Sequence, residues 1–151
     1  MTREEIISGA CNQIYSDEGF RARPYFDTEN VLTIGIGFAM RDLNLTEKAL
    51  LGDLNEVKLD DCMRLLKMKL SKLYDEICFD VPFFDSLKDS AKIGLLDLAY
   101  QIGVKGLLGF KNMLKALSFG EYQTAGLEVM NSLEAKQTPK RAEHIKALIE
   151  A

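Results

Sequence analysis

One stretch of the chain breaks a pattern that runs through almost all the rest. Apolar residues recur at helical spacing nearly everywhere, but from Arg23 to Phe38 the texture changes. Pro24 breaks helix, aromatic and β-branched residues become frequent, and Gly35 and Gly37 alternate with Ile34 and Ile36. These features predict a small antiparallel sheet with a turn near Thr28-Glu29-Asn30. With helical period before and after it, the expected fold class is α+β, helix-dominant.

On the N-terminal side, Ile6, Ile7, Ala10 and Ile14 predict an amphipathic helix over residues 3 to 15, with Glu18-Gly19 just past its end. Beyond the sheet, residues 60 to 78 carry Leu66, Leu70, Leu73 and Ile77 on one stripe. A helix of about 18 residues is about 27 Å long, enough to join two lobes. Pro82 ends that region, and Asp89 or Ser90 can cap a helix running to about Ile102. Ile93, Leu95, Leu96, Leu98, Ala99 and Ile102 make it apolar nearly all round, as befits the centre of a core. Gly103, Gly106 and Gly109 punctuate the next connection, and Phe119-Gly120 ends the helix after it. Thr138 is the expected N-cap of the last helix, with Pro139 at its first position. The expected organisation is one domain over residues 1–151. In it, 15–59 form a small β-containing lobe, 60–78 a connecting helix, and 79–151 with 1–14 a helical lobe.

Composition narrows the chemistry. Cys11, Cys62 and Cys78 are odd in number and lack metal-like spacing, and His144 is the single histidine. Zinc sites and histidine-based triads have little to work with, so no metal or cofactor is expected, and each cysteine reads as a small buried residue in a reducing compartment. Lys and Arg total 19 against 23 Asp and Glu, a net charge of −4, whereas a general grip on nucleic acid needs a basic excess. No apolar run approaches the roughly 20 residues of a membrane span. The start of the chain lacks a signal peptide's basic and apolar segments, so synthesis inside the cell is expected, with release by lysis open.

Carboxylates must then carry any chemistry. Glu18 follows the first helix, Asp27 lies nine positions on in the sheet region, and Thr33 six beyond that. Hydrolysis of a glycosidic bond needs an acid for the leaving oxygen and a second carboxylate for water or for nucleophilic attack. Glu18, flanked by Tyr15 and Phe20, suits the first role, and Asp27 beside a polar turn suits the second. Among 23 acidic residues, however, such a spacing alone reads as surface charge more readily than as a catalytic pair.

The surroundings are more specific. Asp17-Glu18-Gly19-Phe20-Arg21, Tyr25-Phe26-Asp27-Thr28 and Leu32-Thr33-Ile34-Gly35-Ile36-Gly37 closely resemble the phage-type lysozymes, the muramidases of T-even phages and their bacterial and prophage relatives. The resemblance continues in Tyr100-Gln101-Ile102-Gly103, Gly109-Phe110 with Asn112, and Gln137-Thr138-Pro139 with Arg141-Ala142, so it covers about residues 3 to 146. It implies a lysozyme-like fold, a small β lobe joined by a long helix to a helical lobe.

It also implies hydrolysis of the β-1,4 bond between N-acetylmuramic acid and N-acetylglucosamine in peptidoglycan, with Glu18 as general acid and Asp27 and Thr33 directing water. The anomeric centre would be inverted, with carboxyls about 6.5–9.5 Å apart. By the same resemblance Arg141 stands near the catalytic Glu, and Tyr100, Gln101 and Gln137 line the sugar cleft. Tyr100 also reads as a half-buried core residue, and Glu29 as either a cleft-rim residue or part of a solvated turn. The implied partner is bacterial peptidoglycan. Nucleic acid and stable membrane insertion are not expected, the protein would be a monomer, and release from the host cytoplasm would need a separate holin-like membrane protein.

Four departures stand out. Phe38 occupies the place of a family histidine, so apolar burial is expected there instead of an ion pair. Met113 follows Asn112 where a small polar residue is common, Leu133 and Glu134 replace a basic and an aromatic position, and the chain is acidic where many lysozymes are basic. Two other readings stay open: a lytic transglycosylase, which uses one carboxylate, and a non-catalytic wall-binding or virion-structural domain of the same fold.

Overall fold

Polar and apolar residues are distributed over two units of chain, Cys11–Lys69 and Met1–Ala10 with Leu70–Ala151. They are seen in a computed structural model that describes residues 1–151, the side chains of Leu133 and Glu134 excepted. The elements run α1 (Arg3–Glu18), β1 (Arg21–Phe26), β2 (Leu32–Gly35), β3 (Phe38–Ala39), α2 (Leu45–Leu51), α3 (Leu59–Asp80) and α4 (Asp89–Leu108). After them come α5 (Lys111–Ser118), α6 (Tyr122–Met130), α7 (Leu133–Gln137) and α8 (Pro139–Glu150). The class is α+β, helix-dominant, with one small antiparallel sheet, as the periodicity predicts.

The first helix opens on a reciprocal cap: Glu5 N donates to Thr2 Oγ1 at 3.2 Å, and Thr2 N donates to Glu5 Oε1 at 3.0 Å. Ile6, Ile7, Ala10 and Ile14 are all buried, as expected of one apolar face. The helix extends further than residues 3 to 15, and Glu18 is its last residue instead of lying past its end. The final turn is polar, so apolar periodicity does not register it. Gln13 Nε2 donates to Asp17 Oδ2 at 3.1 Å along it, and Gly19, at φ 72°, closes it by donating to Tyr15 O at 2.8 Å.

In the Cys11–Lys69 unit the strands lie in the order β1-β2-β3. Tyr25 pairs with Thr33 and Phe26 with Leu32; on the other edge Thr33 pairs with Ala39 and Ile34 with Phe38. Ile34, Ile36 and Phe38 are buried, which gives the sheet its apolar side. Val57 N donates to Ala22 O at 2.9 Å, so the segment after α2 covers part of the β1 backbone. α2 carries a capping box between Asn44 and Glu47, and Glu47 Oε2 also meets Lys69 Nζ at 2.9 Å.

In the other unit, every residue of α4 from Ala91 to Ala99 is buried. Its N-cap position belongs to Lys88, which makes no side-chain cap, so Asp89 sits in the first turn and not at the cap expected from sequence. Gly103, at φ 80° and ψ 164°, breaks the helical path just after Ile102. An L side chain rarely adopts that backbone, so a glycine is what lets the chain turn and start again toward Leu108. α8 crosses close to α4: a Cβ at Gly94 would stand 3.3 Å from the side chains of both Leu148 and Ile149. Thr138 holds the N-cap position of α8 and Pro139 the first helical one, but Thr138 makes no side-chain cap. Its hydroxyl accepts from Gln101 Nε2 of α4 at 2.9 Å.

Candidate active site

Asp27 closes the β1–β2 hairpin with its own side chain. Its Oδ1 accepts from Glu29 N at 2.9 Å and from Val31 N at 2.8 Å, while the backbone bonds Asp27 N to Val31 O and Asn30 N to Asp27 O, each at 3.0 Å, tie the same loop. Asn30 completes the turn at φ 62°, a left-handed conformation that asparagine tolerates better than other side chains. One carboxylate oxygen is thus spent on the turn, and Oδ2 accepts no hydrogen bond among the described residues. Two donors on one oxygen hold the carboxylate plane, while the second oxygen has no protein donor among the described residues.

Thr33 lies across from Tyr25 and is buried. Its Oγ1 donates to Val31 O at 2.8 Å. The hydroxyl proton is therefore committed to the backbone, and the lone pairs are the part of Thr33 left to hold a water molecule. Val31 links the two residues through one peptide segment: its N–H anchors Asp27 and its carbonyl anchors Thr33.

Glu18, half-buried at the end of α1, rests against the turn between β2 and β3, where a Cβ at Gly37 would lie 2.2 Å from its Oε2. Tyr25 joins this group, although sequence reading assigned it no role. The Arg21 guanidinium lies 4.3 Å from the centroid of its ring. Burial pushes the Tyr25 phenol up; the charge of Glu18 adds to this, Arg21 opposes it, and Asp27 adds further. The phenol lies within electrostatic range of both carboxylates. Its place two residues before Asp27, at the end of β1, is the signal that could have marked it. Glu29 is exposed, and what it supplies to the site is its backbone N–H.

The other expected residues belong to the second unit. Tyr100 and Gln101 are half-buried on α4, Gln101 is bonded to Thr138, and Gln137 is exposed at the end of α7. Arg141 is buried, and its Nε and Nη2 both donate to Asp97 Oδ1, at 3.0 and 2.7 Å. Asp97, fully buried within the apolar run of α4, went unnoticed in the sequence, where a lone acid between Leu96 and Leu98 was its signal. A buried charge needs such a partner. Met113 is buried and, with Phe110, Lys111, Asn112, Glu128 and Asn131, lines an open cleft of about 290 Å³ in this unit. The side chains of Leu133 and Glu134 lie outside the described residues. Phe38, in the first unit, is 3% exposed, so its ring is buried as the departure from histidine predicts.

The chain is 26% identical over 165 residues to "Probable T4-type lysozyme 2" of Dictyostelium discoideum, covering 96% of this chain and 95% of that protein. It is 27% identical to "Probable T4-type lysozyme 1" of the same organism, with the same shares covered. It is also 28% identical over 149 residues to the pre-baseplate central spike protein Gp5 of Enterobacteria phage T4. There the match takes in 88% of this chain and only 26% of the longer spike protein. The family model for phage lysozyme matches residues 15–146, and the chain belongs to the phage lysozyme family.

Proposed function

We propose that the protein hydrolyses bacterial peptidoglycan, cutting the β-1,4 bond between N-acetylmuramic acid and N-acetylglucosamine with inversion. Glu18 gives its proton to the glycosidic oxygen as the bond to the anomeric carbon breaks. A water held by Asp27 Oδ2 and the Thr33 lone pairs attacks that carbon and passes a proton to Asp27. The observation that carries this reading is the Val31 link, which spends Asp27 Oδ1 and the Thr33 proton on the backbone. One carboxylate oxygen and one acceptor hydroxyl are left for a single water molecule. An Asp27 Oδ2 left to hold water supports hydrolysis over a lytic transglycosylase, which has no use for the water.

Tyr100, Gln101, Gln137, Glu29 and Arg141 complete the proposed sugar-binding set. The likeness to the spike protein favours one variant of the reading, in which a domain of this kind works on the wall as part of a larger virion protein. The free form would be an endolysin made in the host cytoplasm, acting as a monomer after a separate membrane protein lets it out.

The test is product analysis on purified peptidoglycan. Reducing N-acetylmuramic acid ends of inverted configuration are expected, and Glu18→Gln should lower turnover at least about a hundredfold, since general acid catalysis contributes about 10²–10⁴-fold. Anhydro-sugar ends would mean a transglycosylase, and no products at all a wall-binding domain.

A further inference from the structure

Gly37 is a glycine for two separable reasons. Its φ of 71° is one that L side chains rarely adopt, and a Cβ there would stand 2.2 Å from Glu18 Oε2 and 2.8 Å from its carboxyl carbon. Other glycines with positive φ separate these reasons. Gly52, at φ 71°, has nothing within 4 Å, so it answers to backbone conformation alone. Gly35, at φ 67°, would meet Cys62 Sγ at 2.8 Å and Phe38 at 3.0 Å, so it answers to core packing. At Gly37 the space left by the missing side chain is filled by a carboxyl group.

We infer that Gly37 is a positioning residue for Glu18, its bare Cα forming the seat that sets where the acid's proton is delivered. This rests on Glu18 being the general acid. The seat has a structural partner in the adjoining strand. β2 carries Thr33 and runs directly into the turn that holds Gly37. One short piece of backbone therefore sets both the resting place of the acid and the hydroxyl that holds water. In an inverting enzyme the spacing between acid and water site is what the chemistry depends on. A methyl group at position 37 would have to push the Glu18 carboxyl away by about 1 Å, and a misplacement of that size can cost about a hundredfold in rate.

Two cycles of substitution test the seat. Gly37→Ala should lower kcat on soluble peptidoglycan fragments about a hundredfold, with KM little changed. In a Glu18→Gln background it should lower the residual rate less than about threefold, since there is no proton left to misplace. Gly52→Ala, with the same φ, should lower the melting temperature and leave turnover unchanged. The second cycle reads stability alone. Glu18→Ala removes the clashing carboxyl, so Gly37→Ala should lower the melting temperature less in a Glu18→Ala background than in the parent. That comparison stands even if Gly37→Ala itself is poorly folded. Wild-type kcat in a folded Gly37→Ala, an equal fractional loss in the Glu18→Gln background, or no rescue of melting by Glu18→Ala would each overturn the inference. An active Glu18→Gln would instead remove the catalytic reading on which it rests.

Discussion

Phe38 shows how one residue changes what a position contributes. The ring is almost fully buried, and Lys69 Nζ lies 5.8 Å from its centroid. Complete burial of such a side chain contributes about 1.5–3 kcal/mol. A histidine in the same place would give up most of that area and set a buried imidazole near an ammonium group already paired with Glu47, so burial disfavours its protonated form. Its folded pKa would then lie below the usual value of about 6.5. A group whose folded pKa is depressed loses stability as pH falls through that range. Phe38→His should therefore melt below the parent throughout pH 5 to 8, with the gap widest at pH 5. A variant that melts above the parent at pH 5 would show that a carboxylate reaches the ring. Arg141 and Asp97 illustrate the opposite case, where neither residue can be removed singly without stranding a buried charge.

The β1–β2 hairpin is the element on which the candidate chemistry hangs. Its loop makes the backbone bonds Asp27 N to Val31 O and Asn30 N to Asp27 O, and it turns two more N–H groups onto Asp27 Oδ1. All of this depends on Asn30 holding φ 62°. Left-handed backbone costs an ordinary L residue about 1–2 kcal/mol, and a β-branched one is worse placed still. Asn30→Gly should keep both stability and turnover, since glycine takes the conformation without strain. Asn30→Val should lose about 1–2 kcal/mol and turnover as well, because the Val31 peptide then no longer holds Asp27 and Thr33 together. Denaturant unfolding alongside wall-clearing rates would check both; full activity in a destabilised Asn30→Val would detach the turn from the chemistry.

For the whole molecule, the thiols set a limit on the alkaline side. Burial pushes Cys11 and Cys62 up to about 11 from an ordinary value near 9. A raised folded pKa means that the stabilisation is fully present below the unfolded pKa and is lost as pH rises through the folded one. Melting temperature should accordingly fall between about pH 9 and 11, because unfolding frees thiols to ionise. Replacing either buried cysteine by alanine should make that fall shallower, even if it lowers stability at pH 7. An unchanged slope in Cys11→Ala/Cys62→Ala would assign the alkaline loss to other groups, Tyr74 among them, whose phenol is pushed up to about 12 by burial and by Asp85.

Much of this protein was legible in its sequence. The position of the sheet, the helices around it, the break after Ile102 and the start of α8 at Pro139 depend on periodicity, glycine and proline, which act over a few neighbouring residues. The motifs around Glu18, Asp27 and Thr33, through their family resemblance and not their spacing alone, marked them as residues to examine. The partners each of them takes were decided by the tertiary structure. The last turn of α1 is polar, so its extent shows only where Gly19 closes it. Asp97 and Arg141 are 44 residues apart, and nothing local announces their pairing. That the Thr33 proton goes to Val31, that Thr138 serves Gln101 instead of capping α8, and that Glu18 rests on Gly37 are all choices between competing partners. Such choices are made by whichever donor or surface the folded chain brings within about 3 Å, and local sequence carries no record of that.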